Sequence, residues 1–296
     1  MNERFEDELE LFFGEATPAQ ARVYAQLSRA GWPEGVTLTG TIRGPHCEYA
    51  QTLPATFRFA DRGAGETLLA EAVVPDPCFW TCPLPYLYDV VLELRRGNEV
   101  LPQVKRPFGI RPLAAKGRSL MFAGKRWVLR SGWGGQASAA DIPQWRAHHA
   151  MLFAPQYDTE LFAAASRHGV LVVADTLECS SSKDNPDRRL ARHAAVGIVL
   201  RSDGPADALS KRRTGNLLYA QVISPGASAE VADWADVVVG EVTQPETFSR
   251  QFADCRVPVI ARGGSGEPVP VATVRERCDE LQRALAPYGD YAGYMM

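Results

Sequence analysis

The chain has 296 residues, a net charge of -3 at neutral pH, 46% hydrophobic residues and 23% charged ones, the profile of a soluble globular protein with room for about two domains. The mild acidity excludes the strongly basic surface of a nucleic-acid or anionic-membrane binder, and no apolar run approaches the roughly 20 residues that span a bilayer. The opening MNERFEDELELFF carries acidic side chains where a secretory leader needs a basic segment and then an apolar one, so a cytoplasmic location is expected.

Residues 1–34 are expected to form a helical segment. Thr17 is followed by Pro18 and Gln20, the pattern of a capping box with proline at the first helical position, and Gly31 stands as a stop. From Gly35 to about Pro112 the chain reads as short strands: VTLTGTI, ATFRFA, TLLAEAVV, YDVVLEL, a Gly97-Asn98 turn and a return to FGIR. Alternation such as Val36, Leu38 and Ile42 implies one buried face per strand, as in an immunoglobulin-like β-sandwich over residues 35–117. Six cysteines are scattered and only Cys78 and Cys82 are close. With no second Cys/His pair at metal spacing, buried reduced thiols are expected and no metal or cofactor site.

After Arg126 the pattern changes to apolar runs with helical stretches between them: RWVLRSG, AMLFAP, VLVVAD, VGIVLRS, LLYAQVIS, DVVVGEV, VPVIARG and DYAGYM. Eight β-branched runs suit a parallel barrel whose strands are buried on both faces. Asp158 is placed to cap TELFAAASRH with Gly169 as its stop, and Pro245 to open ETFSRQF. The expected fold is α/β with an all-β N-terminal module, a compact (β/α)8 TIM-like barrel filling residues 118–296; a doubly wound open sheet is the alternative.

The joint between the two halves carries a family resemblance. Trp80, Pro85, Leu87 and Tyr88, then Phe108, Gly109 and Arg111, then Gly124-Lys125 follow in order the patterns W-x-P-x-x-P-x-L-Y, F-G-x-R and N-G-K. This passage resembles the one in glycoside hydrolase family two, the beta-galactosidase and beta-glucuronidase family, where a sandwich hands over to a catalytic barrel; Ala123 stands where the family has Asn. The resemblance implies a protein of carbohydrate metabolism.

In a βα barrel the active site lies at the carboxyl ends of the strands. Retaining glycosidases place two carboxyl groups there about 5 to 5.5 Å apart, one as general acid and base and one as nucleophile. The family supplies Glu after Asn at strand four and a second Glu at strand seven. ARHAAVGIVLRSDG (residues 191–204) resembles the first motif, with His193 kept, Ser202 for the Asn and Asp203 for the acid and base Glu. PVIARGGSG (residues 258–266) resembles the second, so the nucleophile position falls on Arg262 or Gly263. Asp175 stands for the Glu of strand three. Catalytic candidates are therefore Asp203, Glu241 and Asp175; substrate-binding candidates are Trp133, Gln156, Ser202, Arg262 and Tyr294, with Trp133 and Tyr294 as a sugar-stacking wall.

The resulting expectation is a glycosidase scaffold with a degenerate site and little or no hydrolysis. An active glycosidase using Asp203 with Glu241 or Asp175 is one alternative. The other is a phosphate-ligand barrel using the Gly263-Gly264 turn, where backbone N–H groups cradle an anion. The expected partner is a carbohydrate or other small molecule, with no nucleic acid and no membrane; the oligomeric state is left open.

Overall fold

The computed structural model describes residues 2–63, 65–175, 186–201, 214–264 and 269–296. The chain divides into two compact units: residues up to 111 group with 186–194 and 214–216, and the rest form the second unit. None of the described helices is long and apolar enough to cross a membrane.

The first unit opens with a short helix, α1 (Asn2–Glu8). Strands β1 (Glu10–Ala16), β2 (Gln20–Ser28), β3 (Val36–His46), β4 (Ala55–Asp61), β5 (Thr67–Pro75), β6 (Leu87–Arg96) and β7 (Glu99–Phe108) follow. They pair antiparallel in the order β1-β2-β5-β4-β3-β6-β7. β4 pairs with β3 through Ala55 to Phe59 but with β5 only through Ala60 and Asp61, so it links two half-sheets in a sandwich-like arrangement. The buried faces form one core: Ala21, Val23, Ala25 and Leu27 of β2, Leu68, Ala70, Ala72 and Val74 of β5, and Val90, Leu92 and Leu94 of β6. Each large aliphatic in it contributes about 1.5–3 kcal/mol by leaving water.

The helix expected after Thr17 is strand β2. Thr17 Oγ1 accepts the Gln20 N–H at 3.2 Å, but the bond closes a turn between β1 and β2 rather than capping a helix. The alternation of Ala21, Val23, Ala25 and Leu27 then decides the outcome, because a period of two buries one face between β1 and β5. The sheet therefore begins at Glu10, well ahead of Gly35.

The joint residues are structural anchors. Trp80 is fully buried and its N–H donates to Ile110 O at 2.8 Å. A Cβ on Gly109 would lie 3.1 Å from that of Trp80, which is why the bend beside it carries no side chain. The Tyr88 hydroxyl accepts the Cys78 N–H at 2.9 Å, and burial pushes its pKa up to about 12. Arg111 is 4% exposed and donates to the carbonyls of Ala194 and Asn216; burial draws its pKa down to about 10. On the outer edge of β1, the Phe13 N–H donates to Asn216 Oδ1 at 2.8 Å and Asn216 Nδ2 donates to Phe13 O at 2.9 Å. One side-chain amide thus occupies both hydrogen-bonding groups of an edge residue. His193 is buried beside Arg192 and Arg106, and desolvation followed by those two charges lowers its pKa to about 4.

The second unit starts with a three-stranded sheet, β8 (Leu113–Lys116), β9 (Ser119–Phe122) and β10 (Lys125–Trp127), in the order β10-β9-β8. The β9–β10 turn places Ala123 and Gly124 at φ 50° and 75°, the paired positive values that a tight hairpin demands. Eight parallel strands then close on themselves: β11 (Leu129–Trp133), β12 (Met151–Ala154), β13 (Val172–Asp175), β14 (Val196–Arg201), β15 (Leu218–Ile223), β16 (Val237–Glu241), β17 (Val259–Arg262) and β18 (Gly293–Met295). Leu129 to Ser131 pair with Gly293 to Met295, so the open sheet is excluded.

Helices α2 (Ile142–Ala147), α3 (Thr159–His168), α5 (Pro245–Gln251) and α6 (Val271–Leu285) follow β11, β12, β16 and β17, whereas α4 (Pro186–Ala191), which comes after β13 in the chain, groups with the first unit. α3 is built as its sequence predicts: Asp158 accepts the Leu161 N–H at 3.0 Å and Gly169 ends the helix at φ 73°. The β15–β16 connection, residues 224–236, contains turns and no helix. The second unit is a closed eight-stranded parallel barrel with helices on part of its circumference. Cys78 and Cys82, expected to be buried, are only partly so, and neither is in a disulfide. Burial does hold Cys278, where it pushes the thiol up to about 12.

Candidate functional site

Glycines show which way the barrel strands face. An added Cβ would meet Val274 of α6 at Gly132, Phe252 beside α5 at Gly240, and Leu281 of α6 at Gly263. Those three positions point outward to helices, so their neighbours Trp133, Glu241 and Arg262 point inward. The register extends the set. Trp133 pairs with Phe153, Phe153 with Val173, and Asp175 lies two residues beyond Val173 on the same face. Glu241 pairs with Arg262 across β16 and β17.

These residues meet at the carboxyl ends of the strands. The Trp133 and Phe153 rings lie 5.0 Å apart with planes tilted by 60°. The Arg262 guanidinium carbon sits 5.6 Å from the Phe153 ring centre, in cation–π range. Arg262 and Trp133 are partly buried and Glu241 is exposed. One layer deeper, the Ser131 hydroxyl is buried without a hydrogen-bond partner among the described residues. The mouth therefore offers an aromatic shelf, one guanidinium beside it, and carboxylates at Glu241 and Asp175 on other strands.

Four of the predicted site residues come together here: Trp133, Asp175, Glu241 and Arg262. Gln156 is exposed in the turn two residues past the end of β12. Tyr294 departs from the stacking wall proposed for it. Gly293 faces Leu129 and Ile260 in the interior, so Tyr294 faces out; it is 1% exposed, and its phenol is raised first by burial and then by Asp290, which precedes β18. Ser202 and Asp203 lie outside the described residues. Phe153 was missed by the sequence reading, which looked past the end of this run to Gln156. The signal was present as parity, since Phe153 sits one step before the strand's last residue on the face opposite Leu152 and Ala154.

At the Gly263-Gly264 turn, the Gly263 N–H already donates to Met295 O at 2.8 Å, and Gly264 takes φ 87°. One of the two backbone donors that a phosphate cradle would use is thereby occupied.

Along the chain a sandwich-like sheet is followed by a closed parallel barrel with polar and aromatic groups at its carboxyl end. Residues 14–111 match the family model for Glycosyl hydrolases family 2. Among solved structures, the beta-glucuronidase of Bacteroides uniformis aligns with a TM-score of 0.66 at 15% identity, covering 99% of this chain and 45% of that one. A beta-glucuronidase from Ruminococcus gnavus, in complex with D-glucaro-d-lactam, gives 0.66 at 12% identity, with 97% and 60% covered. A glycosyl hydrolase family 2 member from Bacteroides cellulosilyticus gives 0.62 at 16%, with 97% and 43% covered. No curated protein matches the chain. The resemblance to glycosyl hydrolase family 2 thus holds in sequence over residues 14–111 and in fold over nearly the whole chain, which spans about half the length of the solved structures it resembles.

Proposed function

We propose that this chain is a carbohydrate-binding relative of the family two glycosidases with little or no retaining hydrolysis. The observation that carries the reading is Arg262, facing inward at the carboxyl end of β17 with its guanidinium carbon 5.6 Å from the Phe153 ring centre. The family resemblance places the nucleophile at Arg262 or Gly263, and neither a guanidinium nor a hydrogen can attack an anomeric carbon. Losing one member of a catalytic unit commonly removes several powers of ten in rate. Trp133 and Phe153 supply the apolar face that a sugar ring needs. In the same reading the sheet is an immunoglobulin-like sandwich, the barrel a compact (β/α)8 TIM-like barrel, and the protein a cytoplasmic one that binds neither nucleic acid nor membrane.

Incubation with nitrophenyl galactosides, glucuronides, mannosides and glucosides is expected to give turnover at or near background. Clear turnover that disappears in Asp203→Asn or Glu241→Gln would restore the active glycosidase, with Glu241 or Asp175 taking the nucleophile's part.

A further inference from the structure

The barrel mouth brings together a cation on β17, a flat apolar surface on β11 and β12, and an anion on β16. Arg262 makes one contact among the described residues, with the Phe153 ring. It is held on a strand whose backbone is tied on both sides. Arg262 O accepts the Val242 N–H at 2.7 Å, and the next residue's N–H donates to Met295 O at 2.8 Å. A cation–π contact uses none of a guanidinium's N–H groups as hydrogen-bond donors, so they remain for another partner. Planar, paired donors match a carboxylate.

Retaining catalysis develops positive charge at the anomeric carbon, and its carboxylates stabilise that charge. A mouth with Arg262 in the place of one of them has the opposite preference. We propose that the mouth binds an aldonate, an open-chain sugar acid whose C1 is the carboxylate carbon, with that carboxylate on Arg262 and the carbon skeleton lying along Trp133 and Phe153. This deepens, and rests on, the carbohydrate-binding reading above. The position of the charge follows from the family resemblance: it puts the nucleophile that faces C1 at Arg262 or Gly263, of which Arg262 is the inward-facing one, so an acid group at the far end of the sugar does not reach it. Glu241, paired with Arg262 across the strands, accepts sugar hydroxyls and repels a second negative charge. The mouth therefore favours a singly charged carboxylate over a phosphate dianion.

The experiment is a titration of the full chain, followed by tryptophan fluorescence and calorimetry. The probes are gluconate and galactonate (acid at C1), glucuronate and galacturonate (acid at C6), glucose and galactose (neutral), and inorganic phosphate. The C1 acids are expected to bind at least 10-fold more tightly than the others, weaken with added salt, and lose that advantage in Arg262→Gln. Arg262→Lys should keep part of it, and Trp133→Phe should remove the fluorescence change. Circular dichroism and thermal melts verify that each variant is folded. Equal binding of neutral sugars, a preference for the C6 acids or phosphate, or a C1 preference that survives in folded Arg262→Gln would overturn the proposal while leaving carbohydrate binding intact. Binding of no sugar at all would instead overturn the carbohydrate-binding reading beneath it.

Discussion

Arg111 in the sheet unit is 4% exposed and donates to two backbone carbonyls, Ala194 O and Asn216 O. Arg262 in the barrel is partly buried, lies against an aromatic ring and engages no carbonyl or carboxylate among the described residues. The first is a buried cross-link with two of its nitrogens on carbonyls, although its Nε has no partner among the described residues; the second is a charge held in place at an open rim with its donors left over. The difference separates a residue that maintains the fold from one that can meet a ligand, although both come from motifs of the same family resemblance.

Removing the cross-link tests this difference most severely. Arg111→Met leaves two carbonyls without their donors, which is expected to cost about 4 kcal/mol in urea unfolding. Arg111→Lys, able to reach one of them, should lose about half of that. If both variants unfold like the parent, the arginine is not a cross-link.

His193 gives the next largest effect, and the effect depends on pH. Its folded pKa is about 4 against an ordinary 6.5, so the folded state resists protonation that the unfolded state accepts. Above pH 6.5 both states are neutral and nothing is lost; as pH falls from 6.5 to 4, stability drops by up to about 3 kcal/mol. His193→Gln should flatten the unfolding free energy across that window. A slope that persists unchanged would place its origin in other groups.

In the barrel unit the expected effects are smaller. Ala123 adopts φ 50° in a turn where the family has Asn, and Ala123→Gly should raise stability by about 1 kcal/mol, read as a shift in the thermal midpoint. Arg262→Gln should change stability by less than about 1 kcal/mol, because it removes one cation–π contact at a partly open rim. A large loss there would make Arg262 a second Arg111 and erase the contrast.

The eight barrel strands could be read from sequence because each is buried on both faces, so Val172–Asp175 or Val237–Glu241 shows as an unbroken apolar run that no loop imitates. β2 escaped because half its buried positions are alanines, which add little hydrophobic contrast to the alternation, while Thr17-Pro18 imitates a helix start. Which barrel residues face the interior was harder, since parity within a three- or four-residue strand depends on where pairing begins. Trp133, Glu241 and Arg262 fell on the inner face, whereas Tyr294 fell on the outer one because β18 starts at Gly293. The sandwich strands β3 to β7 were legible through alternation alone.

The amide of Asn216 on the edge of β1 has a consequence for synthesis. Phe13 waits for a partner 203 residues further along the chain, and Arg111 for carbonyls 83 and 105 residues away. At translation rates of about 5–20 residues per second, roughly ten to forty seconds separate the emergence of β1 from that of its closing amide. During that interval the strand's outer rim is an open template for another chain. The sheet unit, which leaves the ribosome ahead of the barrel, gains this amide only after four strands of the barrel have followed it, so the order of completion does not follow the order of synthesis.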